Sequence, residues 1–358
     1  VAYGRGRWVA VGNEIMTSTN AVDWTETPVQ GLQLYTVIWA RNQFIASGWD
    51  PSGSRTTPIF TSVDGLQWSG PAEILFGDTR AAYGAAQGDG TLVLVGAGGL
   101  VIRHAGVAWE RNRGQNQPTG DLYGVVYGRV RFPTIDQRRF VAVGRGGAIW
   151  VSGGGGPVAW LTTASGTDRD LYNVAYNDGT FIAVGDREIL SSRTGLDWKR
   201  SVTRPDVVLY GVIRQAGHWV AVGERGVVYF SRDGENWNRA DLGLSSALSG
   251  IAYSGRTFVT TSVGAQDPAI RASGGIWQSN PILGFNGPPY RHAMKPLLGK
   301  WRVDFPTEMG RTYRLEATTD MRRWEVVLEF LGDGDPFSGV IDNPEATPSE
   351  RFYRLQVD

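Results

Sequence analysis

The feature that most constrains this chain is an internal repeat. An aromatic or leucine followed by a Val-Ala-Val-Gly-like run appears as Trp8-Val9-Ala10-Val11-Gly12, Phe44-Ile45-Ala46-Ser47-Gly48 and Leu92-Val93-Leu94-Val95-Gly96. It returns as Phe140-Val141-Ala142-Val143-Gly144, Phe181-Ile182-Ala183-Val184-Gly185 and Trp219-Val220-Ala221-Val222-Gly223, with a degenerate last copy from Phe258. The intervals are 36, 48, 48, 41, 38 and 39 residues and average about 42, the length of a four-stranded propeller blade. Each unit reads as four short strands separated by turn residues. The first is a Leu-Tyr-x-Val run (Leu122–Val125, Leu171–Val174, Leu209–Val212) and the second is the Val-Ala-Val-Gly run. The third is β-branched and ends in Ser or Thr. The fourth begins at Trp24, Trp68, Trp109, Trp160, Trp198, Trp237 or Trp277. These units predict an all-β fold: a seven-bladed β-propeller over residues 1–280, four antiparallel strands per blade.

Glycine supports that reading. The chain has 49 glycines in 358 residues, about twice the ordinary share, without a collagen period, as many tight turns require. Lys+Arg and Asp+Glu are 35 each, so the formal net charge is zero. That balance argues against a general nucleic-acid binder, which carries a basic excess. No cysteine is present, which removes disulfides, thiolate nucleophiles and Cys-ligated metals. No run of about 18 apolar residues offers a membrane span. The chain opens on Val1-Ala2-Tyr3-Gly4, which reads as the middle of a repeat strand rather than a fresh start, so further residues upstream of Val1 are expected.

The turn between third and fourth strands carries the most specific motif. Ser62-Val63-Asp64-Gly65-Leu66-Gln67-Trp68 and Ser231-Arg232-Asp233-Gly234-Glu235-Asn236-Trp237 are its clearest copies, with Ser192-Arg193-Thr194-Gly195-Leu196-Asp197-Trp198 weaker. Asp accepts backbone N–H groups in a tight turn, Gly supplies positive φ, and Trp buries its ring between blades. These turns resemble the Asp-box of sialidase-like (BNR) repeats, one residue shorter, as in Ycf48-like photosystem assembly factor propellers. The resemblance covers roughly residues 1–280 and departs at Arg103–Gly106, Ser152–Gly156 and Ala272–Gly274, where the Asp is missing. It implies the fold and leaves the chemistry open.

After about Asn280 the repeat fades. Residues 281–296, with Gly287-Pro288-Pro289, read as a linker. Five strand-like runs follow over 297–358: Trp301–Phe305, Tyr313–Ala317, Trp324–Leu331, Gly339–Ile341 and Phe352–Val357. They predict a small β-sandwich. The string Tyr313–Trp324, with Arg351-Phe352-Tyr353-Arg354, is similar to the fibronectin-like C-terminal module of secreted bacterial proteins, which implies an exported protein, extracellular or on the cell surface, with a signal peptide removed upstream of Val1.

Little in the chain points to catalysis. His104, His218 and His292 lack metal-ligand spacing, and no phosphate loop, dinucleotide fingerprint or nucleophile elbow occurs. Asp333, Asp335 and Asp342 read as a solvated turn rather than a calcium site, so no cofactor or metal is expected. The remaining candidate is geometric. In a propeller the loops joining strands two and three, and those leading into each inner strand, share one face. Here they carry Glu14, Asp50, Arg55, Asp121, Arg145, Asp170, Asp186, Arg187, Glu224, Arg225 and Asp267, beside Tyr35, Tyr123, Tyr172 and Tyr210. Aromatic platforms with a few polar groups suit a ligand, and Arg forks suit carboxylates or sulfates. Arg145, Arg187 and Arg225 read as equivalent loop positions, which disfavours a sialidase triad drawn from non-equivalent ones. The leading expectation is a secreted, non-enzymatic binding module recognising a protein or an extracellular glycan. The alternatives are a glycosidase or polysaccharide lyase at the channel mouth, and a structural subunit of an extracellular or phage-like assembly.

Overall fold

A computed structural model describes the chain except for residues 30, 53–56, 72–79, 107, 113–115, 133–134, 154–158, 216, 243, 245, 256, 264–275, 279–292, 298–299, 306–310, 319–324, 332–336, 343–351 and 358. The chain divides into two compact units, Val1–Gly284 and Phe285–Asp358.

The first unit is a series of antiparallel sheets in chain order. The first blade is β1 (Ala2–Gly4), β2 (Arg7–Val11), β3 (Glu14–Ser18) and β4 (Thr25–Pro28). The second has β5 (Gln33–Ala40), β6 (Gln43–Trp49) and β7 (Ile59–Ser62). The third is β8 (Ala82–Gly88), β9 (Thr91–Gly96), β10 (Leu100–His104) and β11 (Trp109–Arg111). The fourth is β12 (Leu122–Phe132), β13 (Ile135–Gly144), β14 (Ile149–Ser152) and β15 (Trp160–Thr163). The fifth is β16 (Leu171–Asn177), β17 (Thr180–Gly185), β18 (Glu188–Ser192) and β19 (Lys199–Arg200). The sixth is β20 (Leu209–Gln215), β21 (His218–Gly223), β22 (Val227–Ser231) and β23 (Asn238–Asp241). The last repeat has β24 (Ala247–Tyr253), β25 (Phe258–Val263) and β26 (Ile276–Gln278).

Each inner strand lies beside the inner strand of the next repeat, and β24 lies beside β1, which closes the ring. The unit is an all-β β-propeller. Its blade count needs correction. Five sheets have four strands, and in the second blade a lone bridge, Thr61 to Ser69, stands where the fourth strand pairs elsewhere. Six blades therefore have all four strand positions filled, against the expected seven, and the last repeat has three strands among the described residues. Trp277, expected to open a fourth strand, pairs with Thr260 inside β26, the third strand.

The apolar runs become strands because they are buried on both faces. Phe181, Ile182, Ala183, Val184 and Gly185 of β17 are all buried, as a strand sandwiched between neighbouring blades must be. The core is accordingly divided into clusters lying between blades. One joins Ile182, Val184 and Ile189 to Val207, Leu209, Trp219 and Trp237 of the next blade. Another joins Trp8 and Ala21 of the first blade to Ala252 and Val259 of the last repeat.

The outer turns repeat one hydrogen-bond pattern. In the second blade Gly65 N donates to Ser62 Oγ at 2.8 Å, Leu66 N and Gln67 N donate to Asp64 Oδ1 at 2.8 and 2.9 Å, and Trp68 Nε1 donates to Gly65 O at 3.2 Å. The sixth blade reproduces it around Ser231, Asp233, Gly234 and Trp237. The fifth does so with Thr194 Oγ1 as acceptor. The first blade adds a copy whose acceptor is Asn20, with Trp24 Nε1 donating to Ala21 O at 3.1 Å. Gly65 and Gly234 sit at φ of 75° and 80°, where a side chain would be strained.

The second unit has two three-stranded antiparallel sheets. One orders β27 (Ala293–Leu297), β28 (Lys300–Phe305) and β31 (Phe337–Asp342), with β28 central. The other orders β30 (Glu325–Leu331), β29 (Thr312–Thr318) and β32 (Phe352–Val357), with β29 central. β27 takes in the last residues of the segment expected to be a linker. His292, Asp333 and Asp335 lie outside the described residues. Among the described residues no helix is long and apolar enough to cross a membrane.

Candidate functional site

From the second to the sixth blade, the glycine that closes the Val-Ala-Val-Gly-like run packs against the entrance of the inner strand. A Cβ on Gly96, Gly144, Gly185 or Gly223 would lie 1.9, 2.0, 2.0 or 2.0 Å from the carbonyl oxygen of Ala81, Asp121, Asp170 or Val208. Each of those carbonyls sits just before an inner strand. Such an approach is closed to any other residue, and it brings the following loop against the strand entrance. Ala97 N, Arg145 N, Asp186 N and Glu224 N then donate to the same four carbonyls at 2.9, 2.9, 2.9 and 3.0 Å. The two loop types expected to share a face are thus joined backbone to backbone.

Immediately after each entrance the inner strand bulges. The register shifts between Leu34 and Thr36, Ala82 and Gly84, Leu122 and Gly124, Leu171 and Asn173, and Leu209 and Gly211. A bulge leaves one residue out of the ladder and re-aims its side chain. That residue is a tyrosine in five consecutive blades: Tyr35, Tyr83, Tyr123, Tyr172 and Tyr210. Their ring centroids form an unbroken arc with separations of 5.4, 5.9, 5.3 and 5.2 Å. In the last repeat the bulge falls between Leu248 and Gly250, and the position holds Ser249, which ends the arc. Tyr83 was not among the expected site residues because Ala82 replaces the leucine that marks the other copies.

All five phenols are held above the ordinary tyrosine range, so they remain neutral donors. Burial is the main cause for each. Asp121 adds to it at Tyr83, Asp170 and Asp121 at Tyr123, and Glu224 and Asp186 at Tyr210. Tyr172 is pushed up to about 12 by burial, with Asp170 the leading charge. Arg145 acts in the opposite direction at Tyr123. Tyr35 hydroxyl donates to Gln33 Oε1 at 2.7 Å.

The carboxylates have partly structural duties. Asp121 Oδ1 accepts Gly98 N at 2.8 Å and Asp170 Oδ1 accepts Gly146 N at 2.7 Å, each tying its blade to the loop of the preceding one. Glu224 Oε2 accepts Val208 N at 3.2 Å. Asp186 lies 3.9 Å from Arg169 Nη1. Asp50 accepts Ser52 N at 2.8 Å in its own turn. Glu14 faces Glu26, and burial followed by repulsion from that neighbour raises its pKa. Arg55 and Asp267 lie outside the described residues.

The three arginines are not equivalent, contrary to the sequence reading. Arg145 opens a 3-10 turn, as Ala97 and Glu224 do, whereas Arg225 holds the second position of its turn at φ 55°. Gly98 and Gly146 occupy that second position at φ 57° and 63°. Arg187, at φ 54°, follows Asp186 in a loop one residue shorter. Arg145 directly follows Gly144, whereas Arg187 and Arg225 stand two residues after Gly185 and Gly223, so the offset from the Val-Ala-Val-Gly run already separates Arg145 from the other two.

A concavity of about 490 Å³ opens farther along β5, β8 and β12 between Ile38, Ala85, Val125, Val126 and Tyr127. Among the described residues no group of three or more His, Asp or Glu could hold a metal ion.

Neither a family model nor a curated protein matches the chain. Solved structures do match. One described as YCF48 bound to D1 peptide has a TM-score of 0.54 and 19% identity, covering 73% of this chain and 87% of that one. The WD40 β-propeller domain of Doa1 has a TM-score of 0.54 and 12% identity, covering 75% and 92%. The computationally designed Ika8 protein has a TM-score of 0.50 and 12% identity, covering 95% of both chains. At such identities the likeness concerns the fold, a β-propeller.

Proposed function

We propose that this chain is a non-enzymatic binding scaffold whose propeller mouth holds an extended segment of another protein. The observation that carries the reading is the arc of five bulge-borne tyrosines with its neighbouring carboxylates. Tyrosine offers a large amphipathic contact at low entropic cost, and neutral phenols donate hydrogen bonds to a peptide backbone. That a similar propeller, YCF48, was solved with a peptide bound points the same way. The unit Phe285–Asp358 is read as a small β-sandwich of the fibronectin-like kind, its two three-stranded antiparallel sheets in support. The protein then works outside the cell or on its surface.

Selection of a random displayed peptide library on the wild-type protein, with a Tyr123→Leu/Tyr172→Leu variant as control, tests the reading. Enriched peptides are expected to lose about tenfold or more in affinity for the variant, as central aromatic contacts do. Peptides that bind both proteins equally would remove the mouth as the site. Binding to a glycan array, lost in the same variant, would replace the protein partner with a sugar, and turnover of a polysaccharide would make the chain an enzyme.

A further inference from the structure

The arc does not meet an even mixture of charges. Asp121, Asp170, Asp186 and Glu224 act on its phenols, opposed by Arg145 at Tyr123. Of the nearby arginines, Arg80 Nη1 donates to Gly98 O at 2.6 Å and Arg169 Nη1 donates to Asp186 O at 3.3 Å. Arg187 and Arg225 are exposed at the second positions of their loops. Asp121, Asp170 and Glu224 each give one oxygen to a backbone N–H, and the charge of the group persists. The tyrosine rings are tilted against one another by 61°, 45°, 33° and 50°, so they make no flat stack that would hide their faces. Electron-rich ring faces beside carboxylates attract a cation through both the ring quadrupole and the net charge.

We propose that the tyrosine arc receives a cationic side chain, lysine or arginine, from an extended polypeptide partner. This rests on the mouth being the binding face, and it reverses the sequence expectation of a carboxylate or sulfate held by arginines. The fit is one of charge: four carboxylates against one arginine act on the phenols of the arc, and the ring faces suit an alkylammonium or guanidinium group.

Fluorescence anisotropy with three labelled Gly/Ser peptides of equal length tests it, their central pair being lysine, norleucine or glutamate. The lysine peptide is expected to bind about five- to tenfold more tightly than the norleucine peptide, with glutamate weakest, and added salt should shrink the difference. Tyr172→Leu should abolish the lysine preference and Tyr172→Phe should retain most of it. Tyr123→Leu serves as a second variant, with thermal melts confirming that each protein is folded. If norleucine or glutamate binds as well as lysine and Tyr172→Leu still weakens binding, the mouth remains the site and the cation assignment falls. If no peptide binds, or binding ignores both leucine variants, the mouth reading falls with it.

Discussion

The outer turns and the channel mouth are products of the same repeat, yet they treat their polar groups in opposite ways. At the outer turns Asp64 and Asp233 are consumed by their own loops. Each accepts two backbone N–H groups and a serine hydroxyl, and the loop then fixes a tryptophan. At the mouth Asp121 and Asp170 accept one backbone N–H each, while the tyrosines beside them stay partly exposed. One end of the blade is closed chemistry and the other is left open. A repeat can therefore reveal function by where it fails to satisfy itself.

The largest test of that contrast sets Trp237→Ala against Tyr172→Leu. Trp237 is 6% exposed, belongs to the core between two blades and donates Nε1–H to Gly234 O at 3.1 Å. Its loss should cost about 3–5 kcal/mol, read as a lower denaturation midpoint. Tyr172 is partly exposed and its ring contacts are with Tyr123 and Tyr210, so Tyr172→Leu should cost about 1 kcal/mol. Equal losses would mean that the tyrosine arc is a structural layer and the contrast is false.

A smaller effect comes from the hydroxyls and carboxylates. Ser231 is 2% exposed, accepts Gly234 N at 2.8 Å and donates to Asp233 Oδ1 at 2.9 Å. Ser231→Ala leaves a buried N–H unsatisfied and should cost about 1–3 kcal/mol in urea unfolding. Its mouth counterpart, Asp121→Asn, keeps an acceptor for Gly98 N and should change stability by about 0.5 kcal/mol or less. A large penalty at Asp121 would show that its charge serves the fold.

The sequence made the propeller legible because blade strands leave a hydrophobic signature at a fixed period and the outer turns place Trp at a fixed offset. It hid what depends on backbone geometry. The bulge that presents Tyr83 has no residue signature, and Ala82 in place of leucine removed the remaining cue. Asn20 completes a turn of the same pattern in the first blade because an amide oxygen accepts N–H groups as a carboxylate does. Arg145 opens its loop directly after Gly144, whereas Arg187 and Arg225 share the second loop position at φ 54° and 55°, a difference of one residue that backbone geometry makes plain. Trp277 looked like its six counterparts, although its partner strand makes it a third-strand residue.

The smallest expected effect is the most selective, because it asks whether the outer carboxylates act as charges at all. Backbone N–H bonds from Gln67 and Leu66 hold the Asp64 pKa below its ordinary value, against a modest opposing effect of burial. The depressed folded pKa means that its contribution to stability is full above the unfolded value of about 3.9 and is lost as pH falls through the folded pKa. Asp64→Asn retains an acceptor oxygen, as Asn20 does, but has nothing to titrate. Wild type should therefore be slightly the more stable at pH 7, and the two proteins should converge as the medium is acidified below that range. A gap that stays constant across the acid range would mean that Asp64 serves by shape alone. The outer turn and the mouth would then differ in exposure but no longer in how they use charge.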